Sequence, residues 1–405
     1  MLTPVSHCQK PIQNSKDTTL FHSRVDAVLV PVLVKDRHGA SVGDLSQGDF
    51  EVFDNNKRQE ISAFMVATNA NAQFQKDSGE APMGTPSSSP KRFVILLFDD
   101  LHMSFSDLAQ TREAAKSVVS SLSEGQMAAV VSLSGVVNSG LTSDHMALQN
   151  ALTEIKPQSL YHSTGTDCPD IDYYQAGLIV NEHSSGALQA ATQEVLDCFP
   201  SLTMRTVAES LAESTARQVF QSGEQDTRVS LASLRELVNK TAMLPGLSTL
   251  ILVSSGFLTL AAQDKYEESQ IIDIAAVSNV TINTLDARGL YTTEVGASDR
   301  NAVSMHMSQL KSEYRRSSMP LTEDVMAELA VGTGGTYIHN TNDLRAGLNA
   351  LVSPPECLYL LEFHARDLKR NNSYHRLKIK VDRKGVKVQA RQGYFEAKLP
   401  KVKIQ

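Results

Sequence analysis

Arg92-Phe93-Val94-Ile95-Leu96-Leu97-Phe98-Asp99-Asp100-Leu101-His102-Met103-Ser104 is an apolar run that ends in two adjacent carboxylates. A strand with one wet face alternates apolar and polar residues, whereas this one is apolar at every position from Phe93 to Phe98. Such a strand is buried on both faces, as in a parallel sheet covered by helices. Downstream the apolar residues fall at helical spacing (Leu108, Ala115, Val118, Val119, Leu122), with Gly125 placed to close the helix. A second buried strand reads over 127–133, and Asp144 is placed to cap a helix carrying Leu148, Leu152 and Ile155. Leu234, Leu237 and Val238 form a further helical stripe before Pro245-Gly246. The rhythm continues with strands over 249–253, 280–285 and 336–339 and helices over 271–277, 323–330 and 343–351. Strands alternating with helices predict an α/β fold, a doubly wound and mostly parallel sheet with helices on both sides.

Outward from this unit the pattern changes. Residues 1–21 are polar and irregular and read as a disordered leader. Strands are predicted over 25–34, 49–53 and 60–66, separated by Asp36-Arg37-His38-Gly39 and Asp54-Asn55-Asn56. Residues 69–91, rich in small and polar types, read as a linker. Beyond Pro354-Pro355, strands return over 358–363, 375–381 and 386–390 and run on towards Tyr394. Each three-strand set is marginal alone. The expected organisation is therefore an N-terminal β segment at 22–68 pairing with a C-terminal one at 354–397 in a β-sandwich. The α/β domain, at 92–353, is inserted between them. Two interruptions, at about 157–226 and 291–320, are too long for ordinary connections. The later half of the first reads as helix; the second is polar and reads as a mobile loop.

The chain has 405 residues, 41% hydrophobic and 20% charged, ordinary values for a folded soluble protein of two or three units. No stretch approaches 18 consecutive apolar residues, which excludes a membrane-spanning helix by pattern. The formal charge is −7, yet residues 364–405 hold 13 Lys and Arg against 3 Asp and Glu. These cations alternate with apolar residues, as on the wet face of a sheet, so no nucleic-acid partner is expected. None of the four cysteines has the close spacing of a zinc or redox pair. Cys168 and Cys198 bracket the first insertion, and a disulfide between them suits an oxidising compartment, with unpaired thiols as the other reading. The first twenty residues show no intact signal peptide, which leaves a cytosolic chain or one whose leader is missing from this start.

In an open parallel sheet, ligands bind outside the carboxyl ends of the strands. There the sequence places Asp99, Asp100, His102, Ser104, Ser132, Ser134, Ser254, Ser255 and Asp286. Carboxylate and hydroxyl oxygens suit a hard divalent cation. The opening run resembles the first strand and metal-ion-dependent adhesion loop, Asp-x-Ser-x-Ser, of von Willebrand factor A domains. Thr249 to Phe257 resembles the family's strand ending in Thr-Asp-Gly. Leu329-Ala330-Val331-Gly332-Thr333-Gly334-Gly335-Thr336-Tyr337 resembles its last helix-to-strand turn. A narrower likeness, to a group of bacterial proteins frequent in Acidobacteria and related to this domain, rests on four further stretches. They are Phe98-Asp99-Asp100-Leu101-His102, Cys168-Pro169 with Tyr174-Gln175-Ala176, Leu285-Asp286-Ala287-Arg288-Gly289-Leu290 and Ala390-Arg391-Gln392-Gly393-Tyr394-Phe395.

The resemblance implies Mg²⁺ or Mn²⁺ held by loop oxygens and completed by a partner's carboxylate. It also implies an extracytoplasmic location, at a cell surface, in a periplasm or secreted. Aligning Asp100 and Ser104 with the outer motif positions puts His102 where the first Ser belongs, and Ser255 stands in place of the Asp before Gly256. The candidate metal residues are thus Asp99, Asp100, His102, Ser104, Ser255 and Asp286, a degenerate set in which the imidazole favours Mn²⁺ or Zn²⁺. The competing structural reading has Asp99 and Asp100 capping the following loop, with Ser106 or Asp107 starting the helix.

Other motifs carry less. Gly332-Thr333-Gly334-Gly335 precedes a strand and lacks the lysine of a phosphate loop, so it reads as a helix-terminating turn. Ser254-Ser255-Gly256 is not a Gly-x-Ser-x-Gly nucleophile elbow. The 11 histidines form no zinc helix, and Asp167, Asp170 and Asp172 lack the Gly and final Glu of a calcium loop. The expected function is a non-enzymatic module binding a protein or cell-surface ligand. The rivals are a metal-dependent hydrolase or phosphoryl-transfer enzyme on the same carboxylates, and a structural envelope protein with a vestigial site.

Overall fold

The computed structural model describes residues 27–37, 39–68, 92–123, 126–158, 168–278, 280–290, 305–353, 357–364 and 374–395. The predicted leader, linker and helix-closing Gly125 lie outside these residues, as do 159–167 and 291–304 of the two interruptions. In chain order come β1 (Ala27–Asp36), β2 (Phe50–Asp54), β3 (Lys57–Gln59), β4 (Ile61–Thr68), β5 (Arg92–Phe98), α1 (Phe105–Ser120), β6 (Met127–Ser132) and α2 (His145–Glu154). Then follow α3 (Tyr173–Val180), α4 (Ser185–Cys198), α5 (Arg205–Ala242), β7 (Leu247–Ser254), α6 (Ala262–Val277), β8 (Val280–Asp286), α7 (Met305–Gly332), β9 (Tyr337–Ile338) and α8 (Leu344–Val352). The chain continues with β10 (Cys357–His364), β11 (Tyr374–Val381), β12 (Val386–Ala390) and β13 (Gly393–Phe395).

The middle of the chain builds a five-stranded parallel sheet in the order β6-β5-β7-β8-β9, flanked by helices. Successive side chains of β5 point to opposite faces. Val94, Leu96 and Phe98 pack with α1, α2 and α8. Phe93, Ile95 and Leu97 pack with the second half of α5 and with α6 and α7. The unbroken apolar run is thus explained: both faces of the strand are core.

Strands from the two ends of the chain meet in two four-stranded sheets, β12-β1-β10-β4 and β13-β11-β2-β3. Their pairings are antiparallel. Val30, Val32 and Val34 of β1 share one apolar cluster with Phe50 and Val52 of β2, Tyr359 and Leu361 of β10 and Leu377 of β11, so the sheets face each other across a common core. The short β3 was not expected; Asn55 and Asn56, both at positive φ, turn the chain tightly enough for it to pair with β2.

The interruptions are more regular than their composition implies. Within the first, α3, α4 and the start of α5 close their own core around Ala176, Ala187, Ala191, Ala208, Ala212 and Ala216. Small residues at four-residue spacing let these helices approach closely. The boundary expected near 226 falls inside α5, a single helix of 38 residues, about 57 Å long at 1.5 Å per residue. The second interruption corrects the expectation of a loop up to 320. From Met305 onward it is helix, and α7 runs through Pro320 to Gly332. A proline inside a helix costs roughly 3 kcal/mol. Packing offsets it: Lys311 bonds Asp170 at 2.9 Å and Glu194 at 2.7 Å, and Tyr314 packs on the insertion core. Likewise α6 begins at Ala262, well before the predicted 271. The acidic trio does not act as a calcium loop here: Asp170 pairs with Lys311, Asp172 caps α3, and Asp167 lies outside the described residues.

Cys168 and Cys198 are disulfide-bonded across 30 residues of the insertion. Closing a loop of that length restricts the unfolded chain by about 3.5 kcal/mol on the chain-entropy account. Replacing both cysteines by alanine is expected to lower unfolding free energy by about that amount in urea titrations; an unchanged midpoint refutes it. A second prediction concerns Glu268, which is buried on α6. Burial, with the Glu328 carboxyl alongside, pushes its carboxyl from 4.5 up to about 8, against the opposing pull of Lys265. A raised carboxyl favours folding fully below its unfolded value and loses that contribution as pH rises through the folded one. Glu268→Gln is therefore expected to gain stability relative to the parent between pH 5 and pH 9; a constant difference over that range speaks against the assignment.

Candidate functional site

The carboxyl ends of β5, β6, β7 and β8 bring together four loops whose polar side chains bond mostly to one another. Asp99 continues the β5 ladder, its N–H donating to the Val253 carbonyl at 2.9 Å. Its side chain is fully buried. Oδ1 accepts from the backbone N–H groups of Leu101 at 3.2 Å and His102 at 3.0 Å. His102 Nδ1 lies 2.9 Å from Oδ1 and 3.0 Å from Oδ2, and the Ser254 hydroxyl donates to Oδ2 at 2.5 Å. The loop thus closes on its own carboxylate, in agreement with the structural reading of Asp99.

His102 stacks on Phe257, ring centroids 5.1 Å apart. Burial disfavours the charged imidazole, but the Asp99, Asp226 and Asp100 carboxylates outweigh it and raise the imidazole above its ordinary pKa. Asp99 shifts the other way: burial resists its charge, and His102 together with the donated hydrogen bonds holds the carboxyl below the usual range. Asp226, from α5, is 7% exposed and its Oδ1 has no hydrogen-bond partner among the described residues. Desolvation raises its pKa, with His102 pulling down and Asp99 pushing up. One imidazole therefore sits in the field of three carboxylates.

The remaining candidates are each engaged. Asp100 is buried and accepts the Ser134 N–H at 2.8 Å and the Ser134 hydroxyl at 2.5 Å. Ser104 caps α1: its Oγ accepts the Asp107 N–H at 3.1 Å and donates to Asp107 Oδ2 at 2.7 Å. The helix accordingly starts after Ser104, not at Ser106 or Asp107. Ser255 donates to the His102 carbonyl at 3.0 Å. Asp286, at the end of β8, forms a two-pronged pair with Arg288, Nε to Oδ1 at 2.9 Å and Nη2 to Oδ2 at 2.7 Å. Asp99, Asp100, His102 and Ser255 are thus linked directly or through loop neighbours, while Ser104 and Asp286 serve separate local roles.

As a metal site this donor set fits poorly. Mg²⁺ and Mn²⁺ need several open oxygen ligands. Here an imidazole occupies Asp99, a serine both oxygens of Asp100, and a guanidinium both oxygens of Asp286. Among the described residues no group of three or more His, Cys, Asp or Glu side chains converges as a ligand set. The arrangement is equally unlike a catalytic triad, since Ser254 bonds Asp99 and not the imidazole. Gly332-Thr333-Gly334-Gly335 ends α7, with the Gly335 N–H donating to the Ala330 carbonyl at 2.7 Å.

Asp226, Ser134 and Arg288 were not among the sequence candidates. Asp226 had a faint signal, because it shares a four-residue spacing with Leu234 and Val238 and so puts a carboxylate on an apolar stripe. Comparison with known protein families and with curated proteins found no match to this chain.

Removing one partner of a buried pair typically costs about 3–5 kcal/mol, because a charge is left uncompensated. His102→Ala is expected to destabilise by that order near pH 6, and the His102→Ala, Asp99→Ala double variant by less than the sum of the two single variants, in urea unfolding. The His102 contribution is complete below about 6.5 and disappears as pH rises through its raised folded value. The Asp99 contribution is complete above about 3.9 and disappears as pH falls through its lowered one. An NMR titration placing the His102 midpoint below 6.5 contradicts this account.

Proposed function

We propose that the chain is a non-enzymatic binding module, a von Willebrand factor A-like α/β domain carried on a β-sandwich, that engages a protein or cell-surface partner through the carboxyl-end face of its parallel sheet. The observation that carries this reading is the exposure of large apolar side chains at that one end, at the start of α1 and on the loops after β6 and β8. Phe105 after β5 is 74% exposed, Val136 after β6 is 68% and Leu290 after β8 is 63%. Aromatic and aliphatic anchors on a rigid scaffold are the usual energetic centre of a protein interface. The five-stranded parallel sheet between helices is compatible with the proposed domain type. No helix among the described residues is long and apolar enough to cross a membrane.

In this reading recognition does not depend on Mg²⁺ or Mn²⁺. His102 and Arg288 supply, from within the protein, positive charge of the kind a bound cation brings to such loops. The disulfide at Cys168 and Cys198 and the disulfide-bonded state of Cys357 support the extracytoplasmic location we propose, that of an exported bacterial protein, since such bonds persist in oxidising compartments.

The test uses the purified protein, fluorescently labelled, on bacterial envelope fractions. Saturable binding is expected, unchanged by EDTA and weakened at least tenfold by Phe105→Asp with Leu290→Asp, each charge opposing burial of its loop. Loss of binding in EDTA, restored by Mn²⁺, overturns the metal-free reading, and binding no greater than that of serum albumin overturns the module itself.

A further inference from the structure

The opposite end of the parallel sheet holds a cavity of about 370 Å³ where the α/β unit meets the sandwich. That volume lies within the range of small-molecule sites, roughly 300–1,000 Å³. Its sandwich wall comes from the outer face of β1. Val30, Val32 and Val34 point into the sandwich core, so Pro31, Leu33 and Lys35 point out and line the cavity. Its α/β wall is the amino-end continuation of one sheet face. Higher up, that face is apolar, with Val94 and Leu96 on β5, Ile251 on β7 and Leu285 on β8. At the cavity the same alternation presents Arg92, Thr249, Thr281 and Asn283. A face that is apolar core along its length turns polar and cationic where space opens.

The charge balance of the lining is one-sided. Arg92 and Lys35 both line the cavity, and no Asp or Glu is among its described lining residues. Arg92 has no ion pair or hydrogen bond from its side chain among the described residues, and burial alone lowers its pKa from the ordinary value. Buried cations are normally paired. The carboxyl end of α8, at Ala350 to Ser353, also borders the cavity. A helix end offers about half a negative charge, too little for two cations. Asn283 is 8% exposed; its Oδ1 accepts the Thr336 N–H at 2.8 Å, leaving its amide N–H groups without a described partner. Two cations and an amide donor face a space whose remaining walls include Leu33, Leu351, Val352 and Leu358.

We infer that this cavity binds a small amphipathic organic anion, its single carboxylate or phosphate head between Arg92, Lys35 and Asn283 and its apolar body against Leu33, Leu351 and Leu358. The head satisfies a cation that has no counter-charge among the described residues, and the body removes apolar wall from water. A ligand held there touches both β1 and the strands of the parallel sheet, so it ties the two units together. This inference is independent of the partner-binding face, which lies at the other end of the strands.

The experiment titrates hexanoate and hexyl phosphate into the full chain at pH 7 in 0.15 M NaCl, with hexan-1-ol and hexylammonium as uncharged and cationic comparators. It follows heat of binding and thermal midpoint. At least one anion is expected to bind saturably and raise the midpoint, at least tenfold more tightly than either comparator, and the ranking of the two anions identifies the head group. A charge-assisted hydrogen bond is worth about a tenfold change in affinity. Arg92→Gln is therefore expected to weaken the anion about tenfold without lowering the midpoint of the free protein, because it removes an uncompensated cation. Lys35→Gln, on the outer face of β1, gives a second reading in case the first variant folds poorly, with a smaller loss of affinity. Equal affinity for hexan-1-ol, unchanged affinity in both variants, or no binding of either anion overturns the inference.

Discussion

A carboxylate at the end of a strand buried on both faces must find its counter-charge inside the protein, and Asp99 finds it in His102, three residues on. Much of the upper end of the molecule is arranged around that pair. Ser254 brings the end of β7 onto the carboxylate. Phe257 supplies the surface on which the imidazole stacks, and Ser255 bonds the carbonyl of the same histidine. α5 reaches over from the insertion, with Asp226 adding its charge and the Thr227 hydroxyl donating to the Leu258 carbonyl at 2.8 Å. Fully desolvated charges are costly, so each of these contacts has a reason to persist.

The insertion is therefore more than an ornament on a loop. Its three helices carry a core of their own, and α5 delivers that core into the packing of the parallel sheet without a break. Gly256, at φ 77°, shows how close the packing is there, since a Cβ at that position would lie 2.2 Å from the Thr322 carbonyl oxygen of α7. The loop after β7 is thus held by α5 on one side and α7 on the other. At the same end Phe105, Val136 and Leu290 keep their side chains in solvent.

The two ends of the parallel sheet differ in their electrostatics. At the carboxyl end, Asp99 and Asp286 are each paired with a protein cation within hydrogen-bond reach. At the amino end, two cations border a cavity with no acidic side chain among its described lining residues. The first end is suited to contact with a surface, and the second to capture of a small anion.

The sequence by itself determined the alternation of strands and helices in the parallel sheet and the β segments at the two ends of the chain. The apolar run of β5, the helical stripes and the capping residue Asp144 act over one or two turns, so local periodicity encodes them. The helix end at Gly332 was legible for the same reason, whereas the Cys168 and Cys198 pairing, 30 residues apart, was only one of two readings until the fold brought the two together. Which donor meets which acceptor was not legible, because it depends on chain neighbours far apart: Ser134 reaches Asp100 across 34 positions and Ser254 reaches Asp99 across 155. The same residue types that match a cation-binding pattern in sequence satisfy one another in space. Only the fold decides between those outcomes, since the cost of a buried charge is settled by whatever the tertiary structure brings within 3 Å of it.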